Sequence, residues 1–132
     1  MPPLRTLLVD DEPLAIERMQ VLCSRITEVD LIGTAQDGEA ALRMVEALQP
    51  ELLLLDIAMP GMDGIEVARA LEEATLKPAI IFVTAFDQFA VEAFDVAAVD
   101  YLLKPVAQDR LEKALARVAE QVREPAEPGE AK

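Results

Sequence analysis

The chain contains no histidine, no tryptophan and a single cysteine among its 132 residues. One cysteine excludes an intrachain disulfide and a thiolate metal cluster. Cys23 sits beside Leu22 and Ile26 in a helical pattern, so it is expected to be a buried core thiol. Aromatic residues are only 4% of a chain that is 52% hydrophobic, so the interior must be built from Leu, Val, Ile and Ala. No apolar run approaches the roughly 20 residues needed to span a bilayer, and the N-terminus lacks the tripartite layout of a signal peptide. A cytoplasmic protein without membrane contact is expected. Positive charge is scarce as well: 12 Lys and Arg stand against 25 Asp and Glu, a formal net charge of -13. Nucleic-acid phosphates would be repelled, so this chain alone is not expected to bind DNA.

What is present is a regular alternation. Five short apolar runs cover Leu4 to Val9, about Asp30 to Ala35, Glu51 to Leu55, Ala79 to Val83, and about Val99 to Leu103. Helical spacing lies between and after them: Ala15, Met19, Leu22 and Ile26; Ala41, Val45 and Leu48; Val67, Ala70, Leu71 and Ala74; Ala90, Ala93, Phe94 and Ala97; and Leu111, Ala114, Leu115, Val118 and Val122. Strands alternating with helices predict an α/β fold, a parallel sheet between two helical layers. The fourth stripe is made mostly of small residues, and its helix should pack least tightly. Pro13 suits a first helical turn, and Asp37-Gly38 and Asp63-Gly64 mark turns before helices. Residues 1–123 therefore read as one domain, and 124–132, EPAEPGEAK, as a disordered tail or the start of an interdomain linker.

In a doubly wound sheet, ligands bind beyond the carboxyl ends of the strands. Asp10 and Asp11 follow the first run, Asp56 the third, Thr84 the fourth and Lys104 the fifth. Singly, each has an ordinary explanation: a helix cap, a strand end or a solvated charge. Together they place three carboxylates, a hydroxyl and an ammonium on one edge, where the carboxylates would repel unless a cation shared them. With oxygen ligands and no imidazole available, Mg2+ is favoured, with Mn2+ possible.

Four motifs now stand in order: Val9-Asp10-Asp11-Glu12-Pro13; Leu55-Asp56-Ile57-Ala58-Met59-Pro60-Gly61-Met62-Asp63-Gly64; Thr84-Ala85; and Lys104-Pro105. From Leu4 to about Val122 the chain resembles the receiver domain of two-component response regulators. The resemblance implies a flavodoxin-like fold with five parallel strands in the order 2-1-3-4-5, flanked by five helices. It implies that Asp56 is the phosphoacceptor for a sensor histidine kinase. Asp11 and Asp56 would bind Mg2+ directly, Asp10 would meet it through a water, and the Ala58 main-chain carbonyl would be a further ligand. Lys104 and Thr84 would contact the phosphoryl group, and the Lys104-Pro105 bond would be cis. Thr84 and Tyr101 would form the switch, with Tyr101 turning inward and altering the face made by helix 4, strand 5 and helix 5. Such a domain catalyses its own phosphorylation and slow dephosphorylation and is not a conventional metabolic enzyme.

The stretch from Thr84 to Phe94, followed by Ala98 to Pro105, is similar to receivers of the LytTR class, which precede a DNA-binding domain. That implies transcription control through a LytTR domain beyond this chain and a homodimer through helix 4, strand 5 and helix 5. Two other classes compete: a phosphorylation-independent interaction module on the same fold, and a haloacid-dehalogenase-like phosphatase. The second normally carries a DxD pair after its first strand, whereas this chain has adjacent Asp10 and Asp11. A dinucleotide site is excluded, because Asp10-Asp11-Glu12-Pro13 stands where a Gly-rich turn would be needed.

Overall fold

The computed structural model describes residues 2–123. The segment 124–132, expected to be a tail or linker, lies outside them. Five strands, β1 (Leu4–Val9), β2 (Val29–Ala35), β3 (Leu52–Leu55), β4 (Ala79–Thr84) and β5 (Asp100–Leu103), alternate with five helices. These are α1 (Pro13–Ser24), α2 (Gly38–Leu48), α3 (Gly64–Leu71), α4 (Ala90–Asp95) and α5 (Gln108–Arg123). All strand pairs are parallel and the order is β2-β1-β3-β4-β5, the doubly wound arrangement expected. Among the described residues, no helix is long and apolar enough to cross a membrane.

The period of two in the strands divides the core. Leu53 and Leu55 face one side with Val45 of α2, Val67 and Leu71 of α3, and Ala93 of α4. Leu52 and Leu54 face the other with Ile16 and Met19 of α1 and Leu111, Leu115 and Val118 of α5. A strand covered on both faces must be apolar throughout, which is why β3 is four leucines. Cys23 is buried within the α1 side of this core, as expected, and burial pushes its thiol pKa up to about 11.

Strand limits differ from the sequence expectation by a residue: β2 begins at Val29, β3 at Leu52 and β5 at Asp100, while β4 runs on to Thr84. Two helical stripes need correction. In α3 the buried residues are Gly64, Ile65, Val67, Ala68 and Leu71; Ala70 is exposed and Ala74 lies past the helix end. In α4 only Ala93 is buried, with Val96 just beyond it, whereas Phe94 is 77% exposed and Ala97 is also exposed. The cause is an early stop. Ala97 takes a left-handed φ of 60°, its N–H bonds to the Phe94 carbonyl, and the Ala98 N–H reaches back to Ala93, the closure of a Schellman motif. A six-residue helix buries little, consistent with the expectation that the fourth helix packs least tightly.

The turns that deliver the chain to the site are locally encoded. Pro13 begins α1, and Asp37 caps α2 by accepting from the Ala40 N–H at 2.8 Å. Asp63 and Glu66 form a reciprocal capping box at α3. Gly64 is required by proximity: a Cβ there would lie 2.2 Å from the main-chain oxygen of Asp56. Gly61 is required by conformation, with φ at +75°.

Candidate functional site

The carboxyl ends of β1, β3, β4 and β5 converge on one edge of the sheet. Asp10 follows β1, and its main-chain N–H bonds across to the Ala35 carbonyl of β2 at 3.0 Å. Asp56 follows β3 and is anchored by its own N–H to the Val9 carbonyl, also at 3.0 Å. These ladder extensions fix the backbone where the side chains turn upward. One carboxylate oxygen from each of Asp10, Asp11 and Asp56 lies within 4.8 Å of the others. Asp10 and Asp56 are buried and Asp11 is half-buried. Neither Asp10 nor Asp11 is the α1 cap; Glu12 holds that position, and its N–H donates to Asp10 Oδ1 at 3.0 Å.

Lys104 enters the cluster from the end of β5, where its N–H donates to the Thr84 carbonyl at 2.8 Å. Its Nζ donates to Asp10 Oδ2 at 2.6 Å and to Asp56 Oδ2 at 3.4 Å. The Lys104-Pro105 bond is cis. Burial works against the lysine charge, but the hydrogen bond to Asp10 and the charges of Asp56 and Asp10 outweigh it and raise its pKa. Asp56 is also pushed up: burial dominates, the adjacent Asp10 adds to it, and Lys104, the Thr84 hydroxyl and the Ala58 N–H only partly offset them. The Ala58 N–H lies 3.4 Å from Asp56 Oδ1, on an exposed loop.

Thr84, the last residue of β4, is fully buried, and the Phe86 N–H points at its hydroxyl oxygen at 3.4 Å. Tyr101 is half-buried on β5, its ring 6.4 Å from that of Phe82 and its hydroxyl donating to the Phe86 carbonyl. That hydroxyl has a protein partner. The residues singled out in the sequence therefore divide into a cluster of Asp10, Asp11, Asp56 and Lys104, with Thr84 beside it, and Tyr101, which faces away toward Phe86.

Three carboxylates against one ammonium leave the cluster with excess negative charge when all are ionised, and every donor atom offered to a metal is oxygen. Such a set fits a hard divalent cation.

Two features escaped the sequence reading. A groove of about 580 Å3 opens beside Lys104 and Ala85 along α1, lined by Ala15, Arg18, Met19 and Leu22; helical spacing marked three of these only as core. The other is Asp100, inside the fifth apolar run and given no role there, which binds Arg110 and Arg117 of α5.

Residues 6–116 match the family model described as the response regulator receiver domain. The chain is 46% identical over 117 residues to the positive alginate biosynthesis regulatory protein of Pseudomonas aeruginosa, covering 88% of this chain and 47% of that protein. It is 40% identical over 118 residues to the transcriptional regulatory protein BtsR of Escherichia coli K12, covering 89% and 49%. The chain thus spans about half the length of the curated relatives it matches. Among solved structures, the response regulatory domain of MrkE from Klebsiella pneumoniae superposes with a TM-score of 0.83 at 30% identity, covering 92% of this chain and 99% of that one. The receiver domain of NarL from Mycobacterium tuberculosis gives 0.81 at 30% identity, covering 95% and 100%.

Proposed function

Because the chain belongs to the response regulator receiver domain family, we propose that Asp56 accepts a phosphoryl group from the phosphohistidine of a sensor histidine kinase. The observation that carries this reading is the gathering of Asp10, Asp11 and Asp56 within 4.8 Å, with Lys104 reaching both Asp10 and Asp56.

An Asp56 carboxylate oxygen attacks phosphorus in line as the bond from phosphorus to the imidazole nitrogen breaks. The imidazole departs with that electron pair, and an acyl phosphate remains on Asp56. Asp11, Asp56, the Ala58 main-chain carbonyl and, through a water, Asp10 would hold Mg2+, which would compensate charge on the phosphoryl oxygens. Lys104 exchanges its contact with Asp56 for one with a phosphoryl oxygen. Thr84 turns its hydroxyl to another, and Tyr101 leaves the Phe86 carbonyl and moves into the space vacated. Phosphorylation then selects one of two arrangements of α4, β5 and α5. Ala58 and Phe86 flank Asp56 and Thr84 without a polar group to orient water, so dephosphorylation is slow. A sharp further slowing in Phe86→Ala would contradict that.

Within a longer parent protein, residues 1–123 form the receiver, which acts in the cytoplasm on a LytTR DNA-binding domain. Support comes from the Thr84 to Pro105 stretch and from relatives named as transcriptional regulators. The receiver pairs through α4, β5 and α5 on phosphorylation, a face on which Val91 and Phe94 are 74% and 77% exposed. Sedimentation unchanged by a beryllofluoride mimic would count against pairing.

The central test is intact-mass measurement after incubation with acetyl phosphate and Mg2+. The parent chain should gain one phosphoryl group and Asp56→Asn none. An equal gain in both would remove Asp56 from its role.

A further inference from the structure

Asp100 opens β5, the edge strand, on the same face as Leu102, which packs toward α5. Its side chain is 8% exposed and saturated with donors. Oδ1 accepts from the Tyr101 N–H and from Arg110 Nη2, each at 2.8 Å. Oδ2 accepts from Arg110 Nη1 at 2.9 Å and Arg117 Nη1 at 3.1 Å. Arg110 and Arg117 lie about two turns apart on one face of α5, and both guanidiniums converge on this single carboxylate.

The trio takes no part in the chemistry above, and α5 is already seated by Leu111, Ala114, Leu115 and Val118. Apolar burial is non-directional, however, and does not fix a helix along its own axis. A forked Arg–carboxylate pair does, because two parallel hydrogen bonds set both distance and orientation. The clamp joins the first residue of β5 to the first turn of α5. The chain between them is closed at both ends, and Lys104 lies within it.

We propose that Asp100, held by Arg110 and Arg117, is a positioning residue that sets the reach of Lys104 to the acceptor; this rests on the reading of Lys104 as a phosphoryl contact. Releasing the clamp lets the first turn of α5 shift and carries the lysine off its line to Asp56, leaving Asp10, Asp11 and Asp56 themselves in place.

The test measures the rate of phosphorylation of the full chain by acetyl phosphate with Mg2+, read by intact mass, for Asp100→Asn, Arg110→Gln, Lys104→Ala and the two double variants with Lys104→Ala. Asp100→Asn and Arg110→Gln should each slow the reaction about tenfold, the scale of a small misplacement near a reacting group. Neither should slow Lys104→Ala any further, because the clamp acts only through that lysine. Arg110 is 43% exposed, so Arg110→Gln should melt within a few degrees of the parent and separates positioning from folding. Parent-like rates in both single variants, or a full additional loss on top of Lys104→Ala, would overturn the proposal. Parent-like phosphorylation of Lys104→Ala itself would instead sink the reading of the lysine, and the proposal with it.

Discussion

Replacing Gly64 by alanine tests how tightly the acceptor is built into the fold. The added Cβ would lie 2.2 Å from the Asp56 main-chain oxygen and 2.9 Å from both the Asp56 carbonyl carbon and the Ile57 Cα, where ordinary contact begins at 3.4 Å. The shortest contact must therefore open by about 1.2 Å, on the steep repulsive side of the dispersion well. The obstacle is main chain, held by the Asp56 N–H to Val9 and the Gly64 N–H to Ile57 at 3.0 and 2.9 Å, so no rotamer change relieves it. Overpacking of this kind costs about 2–4 kcal/mol. Alanine's better helix propensity returns at most about 1 kcal/mol. A net loss of about 1–3 kcal/mol remains, or about 4–12 °C in Tm for a domain of this size. Asp56 moves with its backbone, so phosphorylation by acetyl phosphate should slow about tenfold or more. Gly61→Ala is the control: open space surrounds it, and only its φ of +75° opposes a side chain, for about 1 kcal/mol and no change in rate. Denaturant unfolding and intact mass read both variants. A Gly64→Ala midpoint equal to the parent's, or a larger loss in Gly61→Ala, would refute the reasoning.

Asp56→Asn should melt above the parent at neutral pH in metal-free buffer. Burial, aided by Asp10, raises the folded pKa of Asp56, so ionising it disfavours the fold. That penalty is complete above the folded pKa and vanishes as pH falls through it toward the ordinary value of about 3.9, so the two melting curves should converge on acidification; a gap independent of pH would contradict this. For Asp100 the sign is opposite. Burial opposes its charge, but Arg110, the Tyr101 N–H and Arg117 together hold its pKa below the ordinary range. Its stabilisation is present above about 3.9 and lost as pH falls through the lower folded value, so Asp100→Asn should be less stable than the parent at pH 7 and approach it only in acid. Asp37→Ala removes the α2 cap and should cost about 1 kcal/mol in denaturant unfolding without changing the phosphorylation rate.

The candidate site was legible because its residues sit at or just past the ends of apolar runs. Asp10, Asp56 and Lys104 could be assigned to strand ends from sequence order alone, and a parallel sheet brings such ends to one edge. Helix α4 was less legible for a reason of symmetry: Ala90 and Phe94 recur at helical spacing as well as Ala93 and Val96 do. Periodicity does not say which stripe meets the sheet. That choice is made by the left-handed Ala97, which ends the helix early and leaves Phe94 outside. No Gly or Asn marks the closure, so the usual signal for it is missing. The Asp100 clamp was hidden differently. Its residues belong to an edge strand and to the helix that follows, and their meeting depends on which face of β5 the outward residues take. Alternation with Leu102 settles that face, but only once Leu102 is known to point toward α5. Residues that end elements could thus be read from order along the chain, whereas residues that join elements required the packing. The groups with the clearest claim to chemistry were therefore visible first, and those that hold them in place became visible only in the fold.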